Sequence, residues 1–329
     1  LTTVPPSQCM VRSQSRLDSV LETFSIDSQN ACFLSELKEE QIADHLCESP
    51  SSVAFLGQET GRVCPEGISF ETRRGCLFIH AGSRIRRKGS KARAGVFIAL
   101  GPHLTRLWST TGKLLSHSMR HVAIELRLSG HRICVASAYA PLSTSSSRLR
   151  SSFCSELASF ASDSTRSVVI GIDSNSSVGT GRHGLAESVG PYNLPHVNAA
   201  GRDFQDFLTT HSLCLADTFF PKRNELAMTS WIHHRTGQPY SLDHFVTDPH
   251  TRTRHVLNCK KSAWGVDSDH SAMRITLRFP PGTQRRRPRS LGAAATPSPP
   301  PQRLDPTTAA AFAASASFAA LAAAFASAA

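Results

Sequence analysis

Along this chain, compact apolar runs of strand length alternate with polar turns rich in glycine, serine and proline. The runs at 53–57, 76–80, 95–100, 122–128, 133–139, 167–172, 242–246 and 273–277 predict buried strands, with a further strand at 213–217. Helical spacing predicts a short helix at 35–46, with Leu37, Ile42 and Leu46 on one face and Pro50 ending it, and further helices at 148–161 and 204–211. Short turn-like links such as Ser129-Gly130-His131 predict antiparallel hairpins. Hairpins mixed with helices fit an α/β sandwich better than a strict βαβ repeat, and no internal repeat is visible.

The strands end in polar residues. Val53-Ala-Phe-Leu-Gly57 runs into Gln58-Glu59-Thr60, and Ser167-Val-Val-Ile-Gly-Ile172 runs into Asp173-Ser174-Asn175. After Phe279-Pro280-Pro281 the composition changes to Arg285-Arg-Arg-Pro-Arg289 and then to alanine, proline and serine, which is linker chemistry. The expected organisation is a leader or upstream fragment over 1–25, a folded domain over 26–279, a basic linker over 280–304, and an alanine-rich tail over 305–329. In that tail, Asp305-Pro306 can start a helix and Phe318, Leu321 and Phe325 share one face.

A net charge of +11 and a pI near 9.6 favour a polyanionic partner, although charge alone is weak evidence. The nine cysteines include no CxxC pair and are odd in number. That argues against a zinc site or a disulfide scaffold, and for reduced, buried thiols in an intracellular protein. The uncharged stretch 309–329 is mostly alanine, too weakly apolar to predict a membrane span. The expected location is nuclear.

Phosphodiester hydrolysis needs hard cations on the phosphate oxygens, an activated water, and stabilisation of an anionic transition state. Carboxylates and amides at strand ends supply oxygen ligands for such cations. Asn30, Glu59, Asp173, Asn175, Asp243, Asp269 and His270 are the candidates. Each alone could be a solvated turn residue or a cap; together, most of them recur at the ends of apolar strands.

At these positions the chain resembles the endonuclease/exonuclease/phosphatase superfamily, to which deoxyribonuclease I and the apurinic endonucleases belong. Gln58-Glu59-Thr60 resembles the family's metal-binding strand end, and Tyr139-Ala-Pro141 its Tyr-x-Pro segment, whose Tyr approaches the scissile phosphate. Gly171-Ile-Asp-Ser-Asn175 is similar to the Gly-Asp-Phe-Asn block, with one extra residue after Gly171 and Ser174 in place of the Phe. Ser241-Leu-Asp-His244 resembles the strand whose Asp orients the catalytic His, and Ser268-Asp269-His270 the terminal Ser-Asp-His. Gln29-Asn30-Ala31 stands where the family's first strand carries its Asn, without the usual aromatic.

The resemblance implies a four-layer α/β sandwich of two packed mixed β-sheets flanked by helices, and Mg²⁺, with Mn²⁺ as an alternative. It gives Asp173, Asn175, His270, Asp243 and Tyr139 catalytic roles, and puts Glu59, Asp269 and Asn30 at the metal. Arg84, Arg86, Arg87, Lys88, Lys91 and Arg93 form a basic turn suited to a phosphate backbone, or equally a solvated loop. The segments Gly190-Pro191, Asn198 to Gly201, Ala216-Asp-Thr-Phe219 and Thr229-Ser-Trp231 resemble the endonuclease domain of non-LTR (LINE-type) retrotransposons, with Asp217 standing for an Asn and Ser230 splitting a Thr-Trp pair. That branch implies a DNA target, nicked to prime reverse transcription, and a reverse transcriptase domain in the same parent polyprotein. A repair-type apurinic endonuclease, a small-molecule phosphatase and an inactive DNA-binding remnant stay open, and Trp231 is expected to be core.

Overall fold

The computed structural model describes residues 22–84, 94–181 and 186–280. The chain divides into two compact units, Leu1–Gly282 and Thr283–Ala329, and the second lies outside the described residues.

In chain order the first unit begins with β1 (Thr23–Asn30), α1 (Glu36–Glu48), β2 (Ser52–Gln58), β3 (Ile68–Arg73), β4 (Cys76–Ala81), β5 (Val96–Leu100) and α2 (Pro102–Thr111). Then come β6 (Lys113–Ser118), β7 (His121–Leu128), β8 (His131–Tyr139), α3 (Ser147–Ala161), β9 (Ser167–Asp173) and α4 (Ala199–Thr210). After β10 (Cys214–Leu215), a 3₁₀ turn (Ala216–Phe219) and α5 (Glu225–Met228), the hairpin β11 (Trp231–Ile232) and β12 (Pro239–Tyr240) leads to β13 (Asp243–Thr247). The unit closes with α6 (Pro249–Arg254), β14 (Val256–Lys261) and β15 (Met273–Arg278).

Two mixed sheets result: a seven-stranded sheet in the order β14-β15-β1-β2-β5-β4-β3 and a six-stranded sheet in the order β10-β13-β9-β8-β7-β6. β1 with β2 and β8 with β9 run parallel, while their other neighbours run antiparallel. Because side chains alternate across a strand, each sheet has two apolar faces to bury. The inner faces meet through Ile26, Leu56, Ile98, Ile124, Val135, Val169 and Phe245. On one outer face α1 lays Ile42, Ala43 and Leu46 over Phe55, Phe78 and Phe97. On the other, α3 and α4 pack Phe153, Leu157, Phe204 and Leu208 over Ala136, Ile170 and Val246. Each large apolar side chain so withdrawn contributes roughly 1.5–3 kcal/mol. The outcome is the expected four-layer α/β sandwich.

Several expectations change. Leu37 is 68% exposed, because the buried stripe of α1 runs through Glu39, Ile42, Ala43 and Leu46. β1 starts at Thr23, inside the stretch read as leader. The strand expected at 213–217 shrinks to Cys214–Leu215, since Asp217 joins the 3₁₀ turn. α4 starts earlier than its apolar spacing implied, because the Asn198 side chain caps it by accepting from Gly201 N at 2.7 Å. Of the described cysteines none is disulfide-bonded, but Cys32 and Cys47 are exposed rather than buried.

β1 is central and buried although it is polar, and its partners explain how. Asp27 accepts from Arg274 Nε and Nη2 at 2.7 and 2.8 Å and from Ser52 Oγ at 2.7 Å. Burial alone would raise the Asp27 pKa, but the bonds from His45, Arg274 and Ser52 outweigh it and hold it below the usual value.

Register gathers the polar strand ends at one end of the sandwich. Asn30 lies opposite Gln58, Tyr139 opposite Asp173, and Asp173 opposite Asp243. Beneath them the sheets approach closely: a Cβ on Gly171 would fall 2.4 Å from Ser28 Oγ. Gln58 Nε2 donates to Ser28 Oγ and Ser137 Oγ, both at 3.1 Å, tying the sheets together there.

Candidate active site

Asn30 sits between two carboxylates. Its Nδ2 donates to Glu59 Oε2 at 3.0 Å and to Asp173 Oδ2 at 2.8 Å, while its Oδ1 accepts from Cys32 N at 2.9 Å. Buried at the end of β1, in the sheet whose β2 leads into Glu59, Asn30 thus bridges Glu59 to Asp173 of the other sheet. The Tyr139 hydroxyl also donates to Glu59 Oε2, at 3.2 Å. Burial, then the charges of Asp173 and Glu59, push the Tyr139 phenol well above its ordinary pKa, so it stays protonated and donates.

Across the register pair, Asp243 Oδ2 lies 2.7 Å from His270 Nδ1. That contact leaves the His270 Nε2 edge as the side of the ring available to a substrate. Burial disfavours the imidazolium, but Asp243, Asp173 and Asp269 together raise the His270 pKa to about 10. Burial and the Asp243 charge raise Asp173 to about 7. A cationic histidine therefore stands beside a carboxylate that can take up a proton near neutrality.

The Asn175 backbone N–H donates to Asp173 Oδ1 at 2.9 Å, and its Nδ2 donates to Ala140 O at 2.9 Å. Cys32, Phe33, Glu59 and Asn175 take left-handed φ values of 45°, 80°, 53° and 46°. Such backbone needs support from its surroundings, and here it holds the site's side chains off the strand ends.

Asp269 is exposed, and both its oxygens are engaged: Oδ1 accepts from Cys32 Sγ at 2.8 Å and Oδ2 from Trp231 Nε1 at 2.9 Å. Burial opposes its charge, but these bonds and the His270 charge outweigh it and hold the pKa below the usual value. Trp231, expected in the core, is instead half-buried at the rim, its ring 6.1 Å from that of His270. Ser268 Oγ donates to Asn30 O at 2.7 Å, and Gln29 Nε2 to His270 O at 2.7 Å, which fixes the loop carrying Ser268-Asp269-His270 onto β1.

Asp173, Asp243 and His270 have ligand atoms within 4.8 Å of one another, but the cationic His270, paired with Asp243, has no lone pair to give a metal. Asp243 Oδ1, though buried, has no hydrogen-bond partner. Glu59 and Asp269 are the remaining carboxylates of the site, and their oxygens suit a hard divalent cation. A second group of that spacing, Glu39, Glu71 and His80, already holds cations, for Arg62 pairs with both glutamates and Arg73 with Glu39 at 2.7 Å.

No protein-family profile matches the sequence, and no curated protein matches it. Solved structures do match in fold. The endonuclease domain of TRAS1, a telomere-specific non-LTR retrotransposon, is 13% identical with a TM-score of 0.50, the match covering 78% of this chain and 98% of that one. An AP endonuclease from Leishmania major, LMAP, is 11% identical with a TM-score of 0.56 over 84% of this chain and 100% of that one. The APE2 catalytic domain of Xenopus laevis is 14% identical with a TM-score of 0.53, over 78% and 92%. The chain has the endonuclease/exonuclease/phosphatase fold.

In this fold the residues singled out in sequence converge at one sheet end: Asn30, Glu59, Tyr139, Asp173, Asn175, Asp243 and His270, with Asp269 beside them. Of the basic turn, Arg84 is exposed, while Arg86, Arg87, Lys88, Lys91 and Arg93 lie outside the described residues. Sequence reasoning missed Gln29, Cys32 and Ser230, whose Oγ accepts from the backbone N–H groups of Leu242 and Asp243 at 2.9 and 3.0 Å. Their only signal was adjacency to motif residues. No helix among the described residues is long and apolar enough to cross a membrane.

Proposed function

We propose that the protein is a Mg²⁺-dependent phosphodiesterase that nicks DNA. The observation that carries this reading is the convergence, from both sheets, of Glu59 and Asp173 on Asn30 and of Asp243 on His270. Glu59 and Asp269 would hold a divalent cation, which would supply neutralisation of the phosphate oxygens. Asp173, with its raised pKa, orients water and accepts its proton. His270, kept cationic by Asp243, and the Asn175 amide donate to the charge that develops on the phosphate. The Tyr139 hydroxyl, which donates to Glu59 Oε2 at 3.2 Å, is the further donor assigned to the phosphate.

Two observations support duplex DNA as the substrate and a retrotransposon as the parent element. The segments around Gly190, Asn198, Asp217 and Trp231 resemble the LINE-type branch, and the TRAS1 endonuclease domain shares the fold. In this reading the nick leaves a 3′-hydroxyl that primes a reverse transcriptase in the parent polyprotein, in the nucleus.

The test is conversion of supercoiled plasmid to open circle, with abasic duplex and inositol phosphates as competing substrates. Mg²⁺-dependent nicking of intact plasmid, abolished by EDTA and by Asp173→Ala, is the expected result. Preference for abasic duplex would move the assignment to repair, and preference for inositol phosphates to a phosphatase. No Mg²⁺-dependent cleavage of any substrate would leave a binding remnant.

A further inference from the structure

Cationic residues outside the basic turn that stands out in the sequence lie near the site. β14 is an edge strand, and its last residues, Lys260 and Lys261, lie at the active end: Lys261 is opposite Met273, which is opposite Ser28, two residues before Asn30. A distant segment brings two more cations to the same place. Lys222 Nζ donates to Cys259 O at 3.2 Å, and Lys261 Nζ donates to Leu226 O at 3.4 Å, so the segment that carries Lys222 and Arg223 is held to β14 at Lys222 and Leu226.

Lysines on an edge strand have a bland purpose, since they block pairing with another chain. That accounts for Lys260 and Lys261 but not for Lys222 and Arg223, which arrive from another segment and concentrate like charge. Arg223 and Lys260 are exposed, and Glu225 is the acidic residue nearest in that run. Lys222 also lowers the pKa of the buried Asp217, so it is partly engaged inward.

Both cation-bearing segments lead directly into the site. From Lys261 the chain continues through Ser262 to Asp269 and His270, and from Leu226 it continues to Trp231, whose indole holds Asp269. We propose that Lys222, Arg223, Lys260 and Lys261 form a shelf that binds the phosphate backbone of duplex nucleic acid beside the scissile position. This deepens the phosphodiesterase reading and rests on it for the word scissile. Backbone contacts of this kind set affinity and position without reading sequence.

The experiment compares the unaltered chain with Arg223→Gln/Lys260→Gln, which leaves both backbone hydrogen bonds intact, and with the fourfold Gln variant. Arg106→Gln/Lys113→Gln is the control: α2 follows Leu100, and Lys113 pairs with Glu125, both at the opposite end of the sandwich. The shelf predicts that the double variant raises KM for plasmid about tenfold and the fourfold variant about a hundredfold. It also predicts that the slope of log affinity against log salt flattens by about one unit for each cation that contacts a phosphate. Hydrolysis of the small diester bis(p-nitrophenyl) phosphate and the melting temperature of the double variant should not change, and Arg223→Lys/Lys260→Arg should restore KM. An unchanged KM and salt slope in an enzyme that still nicks overturns the shelf while leaving the function. If neither plasmid nor diester is hydrolysed, the phosphodiesterase reading fails, and duplex binding in EDTA decides the shelf by the same salt slope.

Discussion

β13 carries two Asp–His pairs on consecutive residues, and they differ in almost everything except composition. Asp243 pairs with His270 at 2.7 Å, and His244 pairs with Asp217 at 3.0 Å. Alternation sends Asp243 to the inner face, where Asp173 lies opposite, and His244 to the other. The second pair is closed on itself: Asp217 Oδ1 accepts from Phe245 N at 3.2 Å, and His244 Nε2 lies 3.2 Å from Ser241 O. The first is left incomplete, with Asp243 Oδ1 unpartnered and three further polar residues, Asn30, Asn175 and Glu59, around its neighbour Asp173. A buried Asp–His pair is thus structural or chemical according to what its unused atoms face, not according to its own geometry.

The largest test of this contrast is a matched pair of substitutions. Asp243→Asn should lower kcat by about 10⁴-fold, as expected when a histidine loses the carboxylate that orients it, with little change in the urea midpoint. Asp217→Asn should do the reverse, destabilising the fold by about 3 kcal/mol, as when one partner of a buried pair is removed, with kcat of the folded protein nearly unchanged. Equal losses of kcat in both variants would erase the distinction.

The pH dependence of stability sharpens it. Burial works against the charged His244, but Asp217 outweighs it and raises the pKa. The pair's contribution is therefore complete below the ordinary histidine value of about 6.5 and is lost as pH rises through the raised one. Asp217, with its lowered pKa, contributes above the ordinary aspartate value of about 3.9 and loses that contribution as pH falls through the lowered one. Urea unfolding across pH should show both slopes in the unaltered protein and shallower ones in Asp217→Asn, where Asp27 and His270 still contribute theirs.

The smallest effect concerns the rim. Trp231→Phe removes the indole donor to Asp269 but keeps an aromatic ring, so it should weaken half-saturating Mg²⁺ by about fivefold, the equivalent of roughly 1 kcal/mol for one hydrogen bond. A change in plasmid KM without a change in the Mg²⁺ requirement would give Trp231 a role in DNA contact instead.

What the hydrophobic pattern revealed and missed follows sheet position. The inner strands β2, β4, β5, β7, β8, β9 and β13 were legible because they are buried on both faces or nearly so, and β15 because its buried Met273, Ile275 and Leu277 alternate with polar residues. β3, β6 and β14 escaped it, and all are edge strands with half-exposed residues and no apolar run. β10, the remaining edge, is so short that the apolar stretch around it overstated its length. β1 was hidden for a different reason: it is central, but Asp27, Ser28, Gln29 and Asn30 make it polar, and only partners far away in sequence satisfy them.

The sequence by itself determined the candidate polar residues and their order, because carboxylates and amides placed at the ends of apolar strands are brought together where those strand ends meet. It could not determine which Asp and His would meet. Asp217, Asp243, His244 and His270 allow more than one pairing, and register across β9 and β13, together with the 3₁₀ turn, chose between them. It could not reveal the shelf either, since Lys222 and Lys260 are unremarkable apart and become neighbours only when β14 joins the sheet edge. The physical reason is the same in both cases. Local chemistry is written in single residues, whereas burial, pairing and charge density are properties of contacts between segments far apart in the chain.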